Sequence, residues 1–164
     1  MFGRLKPFRR GAGILADEGV ISFHPVPEEA IDRAELRTGH LPEELKALWR
    51  ELGFGRIKAN VEGTKEAFGP NVVMSPDLVA DAMTGSGFYE GLRLRSPGVF
   101  PFLDIGDRMF VALHVTADGR SFVADDFFVE GDTTVLATTI EEFMDQLSAD
   151  PEFYLNPPSA APKL

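Results

Sequence analysis

From Val99 onward the sequence stops looking helical and becomes a series of short apolar runs separated by tight turns. Residues 99–103, a run broken by Pro101, come first. Residues 109–115, 120–124, 127–129 and 133–136 follow as further strands. Turns are expected at residues 104–107, at Asp118-Gly119 and at Glu130-Gly131-Asp132. Asp-Gly is a favoured two-residue hairpin turn. Connections this short join antiparallel neighbours, because a parallel pair needs a crossover of about a dozen residues or more. A meander of this kind limits the folds open to the chain more than any other feature.

Helices flank the meander. Pro27 suits a first helical turn, and Glu28 and Glu29 complement the dipole behind it. Ile31, Ala34 and Leu36 form the expected apolar side, and Gly39 the end. The clearest helix covers residues 41–52, where Leu41, Leu45, Leu48, Trp49 and Leu52 make one stripe and Gly53 a cap. Short strands are expected at 56–61 and 71–74. Ser75 can cap a third helix with Pro76 at its first position, and Gly85-Ser86-Gly87 ends it. Residues 89–98 read as a loop or irregular strand. Thr139 and Glu142 have capping-box spacing, ahead of a helix whose inner side is Ile140, Phe143, Met144 and Leu147. Helices, then meander, then helix predicts an α+β fold, a mainly antiparallel sheet with helices packed on one face. Three segments are expected: a basic arm with one possible short strand over 1–25, a single α+β domain over 26–150, and a proline-rich tail over 151–164.

Composition narrows the functional classes. The 164 residues fit one domain and include no cysteine, which excludes disulfides, thiol catalysis and thiolate metal sites. Three histidines leave little for a histidine-rich metal centre. Fourteen phenylalanines, rings with no polar handle, are expected mostly in the core. Net charge is −10, which disfavours contact with nucleic acid phosphates or an anionic membrane and favours basic partners. Residues 101–152 hold twelve acids against Arg108 and Arg120. Arg9-Arg10 near the start lacks the apolar run of a signal peptide, so a cytoplasmic protein is expected.

A search for chemistry yields no phosphate loop, HExxH, GxSxG or calcium-loop spacing. No catalytic, cofactor or metal residue is assigned. Asp104 with Asp107, or Asp125 with Asp126, could pair as acid and base. Neighbours on a strand face opposite ways, so Asp125 and Asp126 would share a site only if one lay in a turn. His114 alternates with Ala112 and Phe110 and reads as a sheet residue.

Four segments together resemble the SMI1/KNR4 family, also called the SUKH superfamily, and the related GAD-like immunity domains. They are Leu41-Pro42-Glu43-Glu44-Leu45-Lys46 with Trp49 and the Gly53-Phe54-Gly55 turn, Met74-Ser75-Pro76-Asp77-Leu78, the stretch from Phe100-Pro101-Phe102 to Gly106-Asp107, and the closing helix around Phe143. The resemblance covers residues 31–147. It departs where the family often has Asn-Gly after the second helix and this chain has Leu52-Gly53-Phe54. It implies an α+β domain without shared catalytic residues, and a bacterial immunity protein that neutralises a cognate toxin by contact. An acidic inhibitor suits a basic nuclease effector. The acidic docking candidates are Asp104, Asp107, Asp125, Asp126, Glu130 and Asp132; Phe54, Tyr89 and Arg93 are candidate hot spots. The alternatives are a regulatory or scaffold module of the same fold, with the basic arm as a second contact, and a small carboxylate-dependent enzyme.

Overall fold

The computed structural model describes residues 2, 5, 12–15, 19–59, 71–92, 97–106, 109–126 and 133–155. The described strands are β1 (Ala12–Leu15), β2 (Gly19–His24), β3 (Phe54–Ala59), β4 (Val72–Val73), β5 (Val99–Gly106), β6 (Met109–Val115), β7 (Ser121–Asp126) and β8 (Val135–Ala137). They form one sheet in sequence order, each antiparallel to the next. The helices are α1 (Glu28–Thr38), α2 (Glu43–Glu51), α3 (Pro76–Thr84) and α4 (Ile140–Ala149). This is an α+β fold with its helices packed on one face of the sheet. Helix α1 lies on α3 and α2 on α4, while α3 meets β5 and α4 meets β7 and β8. No helix among the described residues is long and apolar enough to cross a membrane.

Local chemistry sets the helix ends. Ser75 Oγ accepts the Leu78 amide at 3.3 Å, and Pro76 follows where a missing N–H costs nothing. Thr139 Oγ1 accepts from the Glu142 amide at 3.1 Å. Glu142 does not return the bond to Thr139 as a capping box would. It accepts from the Thr138 amide at 2.8 Å and the Thr138 hydroxyl at 2.6 Å, one residue earlier. At the end of α2, Gly53 has φ +97°, and a Cβ there would sit 2.1 Å from the His24 carbonyl oxygen. Only glycine lets β2 and β3 close around that corner.

The core joins both layers. Trp49 is fully buried and donates Nε1–H to the Met74 carbonyl at 2.8 Å, so its stripe is packing, and the indole nitrogen ties α2 to the start of α3. Phe102 meets Phe143 of α4 edge-on, with ring centroids 5.5 Å apart. Lys46 is buried between α1 and α2, with Nζ 2.7 Å from Glu43 and 3.1 Å from Glu35. Those two carboxylates replace the water that a buried ammonium would otherwise lose.

Several expectations change. Pro101 does not break its strand. β5 runs through it because a register shift follows between Pro101 and Leu103, and a proline is tolerated at a bulge. The Phe102 carbonyl accepts the Met74 amide at 2.8 Å. Residues 104–106, expected as part of a turn, are strand, since β5 extends to Gly106 across a second shift between Asp104 and Gly106. Leu36 was expected on the inner side of α1 but is 89% exposed; Ala30, Ile31 and Ala34 are the buried residues. The short strand expected in the arm is β2; β1 adds a second strand beside it, and Phe2 and Leu5 are buried in the core. The Phe2 amide donates to Glu141 Oε1 of α4 at 3.1 Å. The arm's basic residues Arg4, Lys6, Arg9 and Arg10, and the tail beyond Leu155, lie outside the described residues.

Candidate protein-binding surface

The turn after α3 is closely built. Gly85 takes a left-handed conformation at φ +62°, and a Cβ there would lie 2.4 Å from the Leu92 carbonyl oxygen. Backbone bonds close the turn: Ser86 N to Asp81 O at 2.9 Å, Tyr89 N to Ser86 O at 2.9 Å, and Gly91 N to Gly85 O at 3.2 Å. Residues Gly87–Tyr89 form a single 3-10 turn. Its two aromatics diverge. Tyr89 is buried and meets Phe110 of β6 edge-on at 5.3 Å. Phe88 is 72% exposed and stands edge-on to Tyr89 at 5.0 Å.

Tyr89 reaches β5 through its hydroxyl, which donates to Asp104 Oδ2 at 2.6 Å. The other Asp104 oxygen accepts the Gly106 amide at 2.8 Å and so holds the second bulge of the strand. Burial, then the neighbouring Asp104 carboxylate, pushes the Tyr89 phenol well above the usual tyrosine range. Two of the sequence candidates thus meet, but as an internal latch.

The remaining candidates are dispersed. Asp125 is half-buried, and its Oδ1 accepts the Thr134 amide at 2.7 Å where β7 passes to β8. Asp125 and Asp126 both lie in β7 and neither is in a turn, so the condition for a shared carboxylate site is not met. Phe54 is half-buried at the start of β3, its ring 5.4 Å from that of His24. His114 lies in β6 and stacks on Phe122 at 5.1 Å. Arg93, Asp107, Glu130 and Asp132, and the side chain of Asp126, lie outside the described residues.

Two features escaped the sequence reading. On α4, Glu141, Glu142 and Asp145 line an open cavity of about 590 Å³ together with Thr139, Gln146 and Ala149. Their positions could have been found from helical spacing, since the apolar residues of α4 point the other way. The second is Phe88, which the general expectation for phenylalanine placed in the core. Its neighbours offered no signal, because two adjacent aromatics between glycines do not say which one faces inward.

No family model, curated protein or solved structure matches this chain. The arrangement offers an exposed ring on a braced turn and a carboxylate-lined helix face. The turn is braced from α1 as well. Arg37 binds Asp81 and reaches Ser86 Oγ at 3.1 Å, and Arg33 holds Asp77 through two bonds of 3.1 and 2.7 Å.

Proposed function

We propose that this chain is an SMI1/KNR4-type domain that binds and neutralises a basic protein toxin, such as a nuclease effector, by contact and without chemistry of its own. The observation that carries this reading is charge. The chain has a net charge of −10, and α4 presents carboxylates to an open cavity. Opposite charge steers encounter, raising association rates from on the order of 10⁵–10⁶ towards 10⁸–10⁹ M⁻¹s⁻¹ at low salt. The element order also supports it: a helix pair, a strand-to-helix step, an antiparallel meander and a closing helix follow one another as the resemblance implies. A fold alone does not fix a function, so the test is direct. Tagged full-length chain is used to capture partners from its native host, with washes at low and high salt and identification by mass spectrometry. One basic protein near one-to-one stoichiometry, lost more readily at high salt, is the expected result. Recovery of several unrelated proteins, or none, would favour a regulatory module instead.

A further inference from the structure

Among the described residues, three large apolar side chains are strongly exposed: Leu36 at 89%, Phe88 at 72% and Leu155 at 45%. A single exposed apolar residue needs no explanation. The two most exposed, however, lie within two residues of the two ends of one hydrogen bond. Leu36 precedes Arg37, and the Arg37 guanidinium donates to Ser86 Oγ at 3.1 Å, two residues before Phe88. One side chain thus links the end of α1 to the turn carrying the exposed ring.

The charges around this bond are sorted. Arg33 and Arg37 are engaged with Asp77 and Asp81 across the α1–α3 seam. Glu29 and Asp32 lie on the exposed stripe of α1 that includes Leu36, at helical spacings of three and four. Glu90 follows Phe88 by two residues and is also exposed. None of these three carboxylates holds an ion pair among the described residues. Among the described residues here, Arg33 and Arg37 are engaged within the fold, and the charges without an ion pair are those of Glu29, Asp32 and Glu90.

We infer that the α1–α3 corner carrying Leu36 and Phe88 is the face that receives the basic protein partner, with the two apolar side chains as anchors and Glu29, Asp32 and Glu90 as the acidic rim. This rests on the reading under Proposed function and adds the surface to it. The brace matters energetically. An aromatic held in place before encounter avoids much of the ordering cost that binding otherwise incurs, and a few well-packed residues carry most of an interface's energy.

The test uses the full chain with a photo-crosslinking phenylalanine analogue at position 88, and in a second protein at exposed Asp118 as control. The protein crosslinked from position 88 is purified and titrated calorimetrically with wild type, Leu36→Ala, Phe88→Ala and the double variant. The expected partner is basic, each single variant weakens binding at least about tenfold, the double variant more, and thermal midpoints stay unchanged because both side chains are exposed. Replacing Glu29, Asp32 and Glu90 by their amides is expected to slow association and flatten its salt dependence. A basic partner that binds the double variant as tightly as wild type would overturn this surface while leaving the immunity reading intact. Failure of the full chain to bind any basic protein from its host would overturn both.

Discussion

The Tyr89 hydroxyl and the Asp104 carboxylate, 2.6 Å apart, join the turn after α3 to the second bulge of β5. Both residues read as contact candidates from sequence, and both are structural in this arrangement. Replacing Tyr89 by Phe leaves the ring packing on Phe110 but strands one carboxylate oxygen. A hydrogen bond to a charged group is worth about 1.5–3 kcal/mol, so Tyr89→Phe is expected to lose about that much stability in urea. Asp104→Asn is expected to lose a similar amount, and the double variant less than the sum. Full additivity of the two losses would contradict the latch.

Alkaline stability follows from the two buried phenols. Burial, together with the nearby Glu152 carboxylate, pushes Tyr154 up to about 12, and Tyr89 is raised further. A raised pKa means the folded state holds its proton more tightly than the unfolded chain. The stabilisation is complete below the ordinary tyrosine value near 10 and is lost as pH rises through the folded values. Stability of the wild type is therefore expected to fall above about pH 10, where unfolded-chain tyrosines ionise. Tyr154→Phe, less stable at neutral pH, is expected to show a shallower decline. Urea midpoints between pH 8 and 11.5 decide this; parallel curves for the two proteins would count against it.

Asn71 ties the C-terminal turn to the sheet. It is buried, its Nδ2 donates to the Pro151 carbonyl at 3.0 Å, and its Oδ1 accepts the Tyr154 hydroxyl at 2.7 Å. Asn71→Ala removes both bonds and leaves a buried hydroxyl unsatisfied, at a cost of about 1–3 kcal/mol for that group alone. Its main effect is expected to be local. Hydrogen exchange should accelerate in the 3-10 turn Phe153–Leu155 before it does in β6. Uniform acceleration across both would mean that Asn71 stabilises the fold only globally.

Gly85→Ala tests the turn that presents Phe88. The left-handed φ and the 2.4 Å approach of a Cβ to the Leu92 carbonyl both oppose a side chain there. A loss greater than about 1 kcal/mol is expected in thermal or urea unfolding. The exposed ion pairs nearby should matter less: Arg37→Ala is expected to cost no more than about 1 kcal/mol. The reverse ranking would mean that the turn is held by charge and not by backbone geometry.

Much of the fold was legible because its signals are local. Ser75-Pro76 capping, the stripe from Leu41 to Leu52 and the hairpin at Asp118-Gly119 each depend on a few adjacent residues; the first two stand as read, and the hairpin is where it was read but with a loop longer than two residues, closed by Thr116 and Arg120. What was not legible depends on distant partners. Pro101 reads as a strand breaker unless the bulge that accommodates it is known. Leu36 could have been placed from the sequence, since two residues from Ala34 and five from Ile31 it falls off the helical stripe that Ala30, Ile31 and Ala34 bury. The fates of Phe88 and Tyr89 are decided by Phe110 and Asp104, which β5 and β6 supply. Phe88 was missed for the same reason: its exposure is a property of the packed molecule.

The central claim is that this chain neutralises a basic protein by contact. The most direct measurement is growth of cells producing the captured basic partner from an inducible promoter, with and without the full chain, alongside the purified pair titrated for inhibition. Restored growth, and inhibition complete near one equivalent and weakened by Leu36→Ala with Phe88→Ala, is the predicted result. A partner that is not toxic, or a toxic partner that stays fully active when saturated with the chain, would contradict the account.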